Sequence, residues 1–80
     1  MTQRLIVAGI PTPDLLAVIS TASRQKGYGD VGIEWGQIMH PTAGTGLAMS
    51  FTHDDPERVQ AAMAFWKDEL ARRGIRTGLT

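Results

Sequence analysis

Residues 31–52, VGIEWGQIMHPTAGTGLAMSFT, carry the pattern that decides the fold. Large apolar side chains recur at every second position, at 31, 33 and 35 and again at 47, 49 and 51, with small or polar residues between them. A period of two indicates β-strands that each have one apolar face. Residues 40–44, between the two runs, have the composition of a turn. The stretch therefore predicts a β-hairpin with one face of large side chains and one face of small ones.

Two amphipathic helices flank this hairpin. The first is predicted over Pro13–Lys26, because Thr12 offers a capping hydroxyl, proline suits the first helical position and Gly27 can end the helix. The second is predicted over Pro56–Arg73, after two aspartates and before Gly74.

The two outer segments are predicted as strands. Leu5–Ile10 is apolar at every position, which is typical of a strand covered on both faces, and residues 75–79 are long enough for a short edge strand. The order β-α-β-β-α-β predicts one α+β domain over residues 1–80. We expect a ferredoxin-like sandwich with two helices on one face of an antiparallel sheet, and with the first and third strands central. The predicted core is Leu15, Ile19, Val31, Ile33, Trp35, Leu47, Met49, Phe51, Val59, Met63, Trp66 and Leu70.

Several chemistries are excluded by missing residues. The chain has no cysteine, so disulfides, thiolate metal sites and thiol nucleophiles are excluded, and it has no asparagine, which an acylphosphatase-like site requires. His40 and His53 are expected at opposite ends of the hairpin, roughly 25 Å apart, and so cannot share a site. We therefore predict a protein that is not an enzyme, with no catalytic residues, no metal and no cofactor.

The charge balance also limits the partners. Lysine and arginine together number eight, aspartate and glutamate also number eight, and the formal net charge is zero. Binding to nucleic acid without sequence preference requires a basic excess, so direct nucleic-acid binding is not expected.

Two groups of side chains are left for a protein partner. Aromatic and arginine side chains most often dominate the energy of interfaces. Three arginines near the end of the second helix are expected to lie with His40 at one end of the sandwich, opposed only by Asp14. The flat face of the sheet through Ala48 and Ser50 is a further candidate surface. The predicted partner-binding residues are Tyr28, Phe65, Arg72, Arg73 and Arg76.

In overall character the chain resembles the small anti-CRISPR proteins of phages and mobile elements. It is short, lacks cysteine and contains no catalytic motif. The resemblance implies a non-catalytic protein-interaction module that binds a type I CRISPR surveillance complex and prevents target DNA binding. Such a protein would act in the cytoplasm of a bacterial host, away from membranes, as a monomer or homodimer. Two alternatives remain: a dimeric α+β barrel that binds a small ligand or acts like a cofactor-free oxygenase, and a nucleic-acid binder that uses the arginine end.

Overall fold

Three strands form one antiparallel sheet in the computed structural model, which describes residues 1–42 and 44–78. The central strand pairs with both outer strands, which confirms the predicted hairpin and the α+β class. The order in the sheet is β1-β3-β2. Along the chain the elements are β1 (Thr2–Ala8), α1 (Pro13–Gln25), β2 (Gly32–His40), β3 (Gly44–Thr52) and α2 (Pro56–Arg72).

Both helices begin where the capping residues predict. The Thr12 hydroxyl accepts a hydrogen bond from the backbone N–H of Leu15 at 3.2 Å. The Asp55 carboxylate accepts one from the backbone N–H of Glu57 at 2.9 Å. Each helix ends one residue before the predicted end.

The predicted fourth strand is replaced by a single bridge. Thr77 pairs with Val7, and on either side the Ala8 N–H donates to the Arg76 carbonyl and the Gly78 N–H donates to the Ile6 carbonyl, both at 2.9 Å. Gly78 has a positive φ of 72°, which departs from extended geometry. The described order is therefore β-α-β-β-α, with the tail on the outer edge of β1; residue 79, the last of the predicted strand, lies outside the described residues.

β1 is covered on one face only, which corrects the prediction of a strand buried on both faces. Leu5 and Val7 are buried beneath the helices, whereas Ile6 and Ala8 on the other face are half-buried. Ile10 lies beyond the strand and is exposed. The physical reason is that α2 packs on the same face of β1 and β3 that carries their large apolar side chains.

The core differs from the predicted set at its margins. Trp35 is 42% exposed, and the prediction that it lies in the core is wrong. The register does place Trp35 on the helix-covered face, opposite Met49, but on an outer strand at the rim of that cover. Leu15, Ile33 and Met63 are partly buried, and Leu5, Val7 and Ala62 belong to the core although they were not predicted there. The largest fully buried side chains are Trp66, Phe51, Ile19, Met49, Leu70, Val7 and Val59.

Candidate functional site

β2 is an outer strand whose second edge pairs with no other strand of residues 1–42 and 44–78. It is nine residues long, and its sequence, GIEWGQIMH, contains one charged residue and neither lysine nor proline. Proteins usually protect such edges with lysine, proline, a bulge or a short strand, because an unpaired edge accepts another strand. Because β2 contains neither lysine nor proline and is long, its edge lacks these protections against the addition of another strand.

Two large apolar side chains stand on this strand. Trp35 is 42% exposed and Met39 is 74% exposed, and the register places both on the helix-covered side of the sheet. Trp35 is held in place by the buried Trp66, whose ring lies at a centroid distance of 5.6 Å and nearly perpendicular. Met39 lies on the same face of the strand, with Gln37 between it and Trp35, and protein interfaces are enriched in tryptophan and methionine.

A cleft of about 210 Å³ separates α1 from β2. Ser20 and Arg24 line it from the helix, Ile33 and Trp35 line it from the strand, and Tyr28 lines it from the loop between them. All the strand residues that line the cleft belong to β2, the outer strand. A strand that pairs with β2 can therefore place a side chain against the exposed part of Trp35.

The other face of the sheet carries the small side chains that the alternation predicted. Ala48 and Ser50 of the central strand lie on it, flanked by Arg4 of β1 and by Glu34 of β2. Ala48 is only 6% exposed although no helix covers it; its neighbours across the strands are Ile6 on β1 and Gly36 on β2. This face forms a shallow depression of about 250 Å³ between Arg4, Glu34 and Ile38.

Tyr28 and Phe65, predicted as partner-binding aromatics, lie against each other. Their ring centroids are 5.8 Å apart and their planes are inclined by 52°. Both side chains are half-buried and pack on the core. Tyr28 is thus less exposed than the loop composition indicated, and both rings serve the packing between the end of α1 and α2.

The predicted arginine group is balanced by acids on its own helix. Arg72 contacts Asp68 at 3.0 Å and Glu69 at 3.8 Å, and Arg73 contacts Glu69 at 2.9 Å. The expectation that Asp14 alone opposes this group is wrong. The backbone of Arg76 lies at the outer edge of β1, where its carbonyl accepts from Ala8.

A polar cluster that the sequence analysis missed joins the start of β2 to the start of α2. The Asp55 backbone N–H donates to His53 Nδ1 at 2.9 Å, so the ring proton lies on Nε2 and is donated to Asp30 at 3.0 Å. Arg58 donates to the other oxygen of Asp30 at 2.6 Å and also to the Gly27 carbonyl. The hydrogen bond from Arg58 lowers the pKa of Asp30, and the same bond raises the pKa of Arg58.

This cluster fastens the loop before β2 to the start of α2. Both nitrogens of His53 are engaged within the cluster. The hairpin register contains the signal that would have found it: Gly32 pairs with Thr52, which brings Asp30 and His53 to the same end. His40 pairs with Gly44 at the other end, so the two histidines lie apart as predicted.

The comparisons with known proteins return nothing. No family model matches the chain, and neither the curated proteins nor the solved structures contain a match. Among residues 1–42 and 44–78, no three His, Asp or Glu side chains are grouped so that they would hold a metal ion. Neither helix of this part of the chain has the length and apolar character required to cross a membrane.

Proposed function

We propose that the chain is a non-catalytic protein-interaction module that binds its partner by strand addition along the open edge of β2. The observation that carries this proposal is the nine-residue edge without lysine or proline, with Trp35 and Met39 exposed beside it. In this binding mode main-chain hydrogen bonds supply affinity, and pockets for alternate side chains supply specificity. The cleft beside Trp35 is such a pocket.

The charge distribution favours this surface over the arginine end. Glu34 is the one charged residue of β2, and its side chain lies on the opposite face from Trp35 and Met39. Binding at the edge therefore depends mainly on backbone pairing and apolar burial, and a rise in salt concentration weakens it little. Arg72 and Arg73 are already paired with Asp68 and Glu69 and offer less to an acidic partner.

The anti-CRISPR resemblance supplies the first partner to test, a purified type I CRISPR surveillance complex. Its binding to the immobilised chain is measured by biolayer interferometry with three proteins: wild type, Met39→Lys and Val18→Lys. Met39→Lys adds an edge-blocking charge at a side chain that is 74% exposed. Val18→Lys is the matched control, because Val18 is an equally apolar, 56% exposed residue on α1. We expect Met39→Lys to weaken binding at least tenfold and Val18→Lys to bind like wild type.

A photo-crosslinking residue at position 39 or 18 extends the test to other partners. We expect position 39 to give adducts that position 18 does not give, and each identified partner, once purified, to bind wild type more tightly than Met39→Lys. Equal binding of Met39→Lys and wild type to a purified partner would place the interface elsewhere. Equal adduct patterns at positions 39 and 18 would contradict strand addition in the same way.

A further inference from the structure

The open face of the sheet, on the side away from the helices, has a size and charge pattern that is complementary to itself. Its side chains form rows that run across the strands in the order β1, β3, β2. In three of these rows the central residue is small, and the two outer residues differ in size or in charge. These rows are Arg4–Ser50–Glu34, Ile6–Ala48–Gly36 and Ala8–Gly46–Ile38, and a fourth row, Thr2–Thr52–Gly32, lies at one end of the face.

From these rows we propose that two copies of the chain dimerise face to face through their open sheet faces. The two-fold axis lies along β3, between the two sheets, and exchanges β1 of one copy with β2 of its partner. Stacked sheets pack about 10 Å apart with their strands aligned within about 30°, which is the arrangement that this axis generates. The proposal does not depend on the proposed function, because it uses the face of the sheet and not the edge of β2.

Charge complementarity is the first support. Arg4 and Glu34 are both exposed, and neither makes an ion pair with another described residue. The two residues belong to the same row, on the two outer strands. Rotation about β3 places Arg4 of each copy over Glu34 of the other, so the dimer gains two equivalent ion pairs. An axis perpendicular to the strands would stack each outer strand on itself and leave both charges unpaired.

Size complementarity is the second support. The same rotation places Ile6 over Gly36 of the partner copy, where a Cβ added to the glycine would meet no atom of its own chain within 4 Å. It also places Ile38 over Ala8. Each large side chain thus meets a small one, and Ala48 meets its own copy at the axis. Ile6 and Ile38 are half-buried in the single chain and would lose their remaining exposure.

The small area of the open sheet face indicates that the dimer is weak. Three strands spaced by about 4.8 Å and seven to nine residues long give a projected face of roughly 400 Å² per copy. Over both copies this is about 800 Å², less than the roughly 1,200–2,000 Å² of a stable interface, so we expect a weak, reversible dimer with a Kd on the order of 10–100 µM. Sedimentation equilibrium at protein concentrations from about 5 to 500 µM covers the transition.

Charge reversal provides the decisive experiment. Arg4→Glu gives a face with two acids, and Glu34→Lys gives a face with two bases, so each variant alone repels its own copy. We expect each to raise the Kd for self-association at least tenfold. An equimolar mixture should restore dimers, because both charge pairs become attractive, and native mass spectrometry distinguishes that heterodimer by its mass.

Two further variants separate this proposal from a fold defect and from the edge proposal. Gly36→Leu fills the position opposite Ile6 and should abolish the dimer, while its circular dichroism spectrum should stay that of wild type because a Cβ at this position meets nothing within 4 Å. Met39→Lys blocks the edge of β2 and should leave the dimer unchanged. A wild type that stays monomeric to about 500 µM, or a mixture of the two charge variants that forms no heterodimer, would overturn the proposal.

Discussion

Substitution of Gly46 by alanine tests the pairing of β1 with β3, on which the register of the sheet depends. Gly46 lies opposite Ala8, and a Cβ built on it would come within 2.6 Å of the Val7 carbonyl oxygen. Carbon and oxygen atoms that are not bonded prefer separations of about 3.5 Å, so the overlap is close to 1 Å. The Val7 carbonyl belongs to the backbone of β1, and the added Cβ is fixed to the backbone of β3. Neither can move without disturbing the β1–β3 ladder.

The expected cost follows from this overlap. Overpacking that forces backbone shifts costs about 1–3 kcal/mol. In a domain of this size 1 kcal/mol corresponds to about 4–8 °C in melting temperature, so Gly46→Ala should melt roughly 10 °C below wild type. Gly36→Ala is the matched control on the neighbouring strand, because its Cβ would meet nothing within 4 Å. Alanine lowers the entropy of the unfolded chain relative to glycine, so the control should be neutral or more stable by up to about 1 kcal/mol.

Thermal melts followed by circular dichroism, with urea unfolding at 25 °C, measure both variants. The protein concentration is kept near 5 µM so that self-association contributes little. A Gly46→Ala variant that melts within about 2 °C of wild type would show that the Val7 carbonyl is not where the β1–β3 register places it. An equal loss in Gly36→Ala would show instead that glycine itself, and not the close approach, matters at these positions.

Three further predictions concern the core, the polar cluster and a helix cap. Trp66→Ala should lower the free energy of unfolding in urea by about 3–5 kcal/mol, because the indole is fully buried. Trp66→Phe should lower it far less, since the indole N–H donates to no other residue in the described part of the chain. Asp30→Asn should reduce the free energy of unfolding above about pH 4, and this effect should fade as the pH falls further. The reason is that Arg58 lowers the pKa of folded Asp30, so the stabilising contribution of the carboxylate disappears only when Asp30 is protonated. Urea midpoints from about pH 3 to pH 7 measure the difference between variant and wild type, and a difference that is constant with pH would contradict the prediction. Asp55→Ala should destabilise α2 by about 1 kcal/mol through loss of the bond to the Glu57 N–H, and an unchanged urea midpoint would exclude that role for the cap.

The features that the sequence predicted well are those set by local interactions. Capping at Thr12 and Asp55 involves residues two or three positions apart, so a short stretch of sequence is enough to predict where each helix begins. The parity of the hairpin is local in the same sense, because alternate side chains of a strand must point to opposite faces. Ile33 and Phe51 accordingly lie opposite each other on the helix-covered face, as the alternation indicated.

What the sequence did not predict depends on how far one layer extends over another. Alternation assigns Trp35 to the helix-covered face, but it does not show that α1 leaves a cleft beside β2. The bond between Asp30 and Arg58 spans 28 positions and becomes visible only when the hairpin register is known. Residues 75–78 do not form a strand for a simpler reason: Gly74 and Gly78 both have positive φ, and only three residues separate them.

The two proposed surfaces are geometrically compatible, and together they would determine how many strands of a partner can bind at once. Strand addition extends the sheet within its plane, beyond β2, whereas the face-to-face dimer forms perpendicular to that plane. A two-fold axis along β3 places the β2 edges of the two copies on opposite sides of the dimer. Such a dimer presents two identical open edges, so a partner with two equivalent strands would be bound twice. The second contact would then form at a high effective concentration, so weak self-association would strengthen the binding of a partner that carries two equivalent strands.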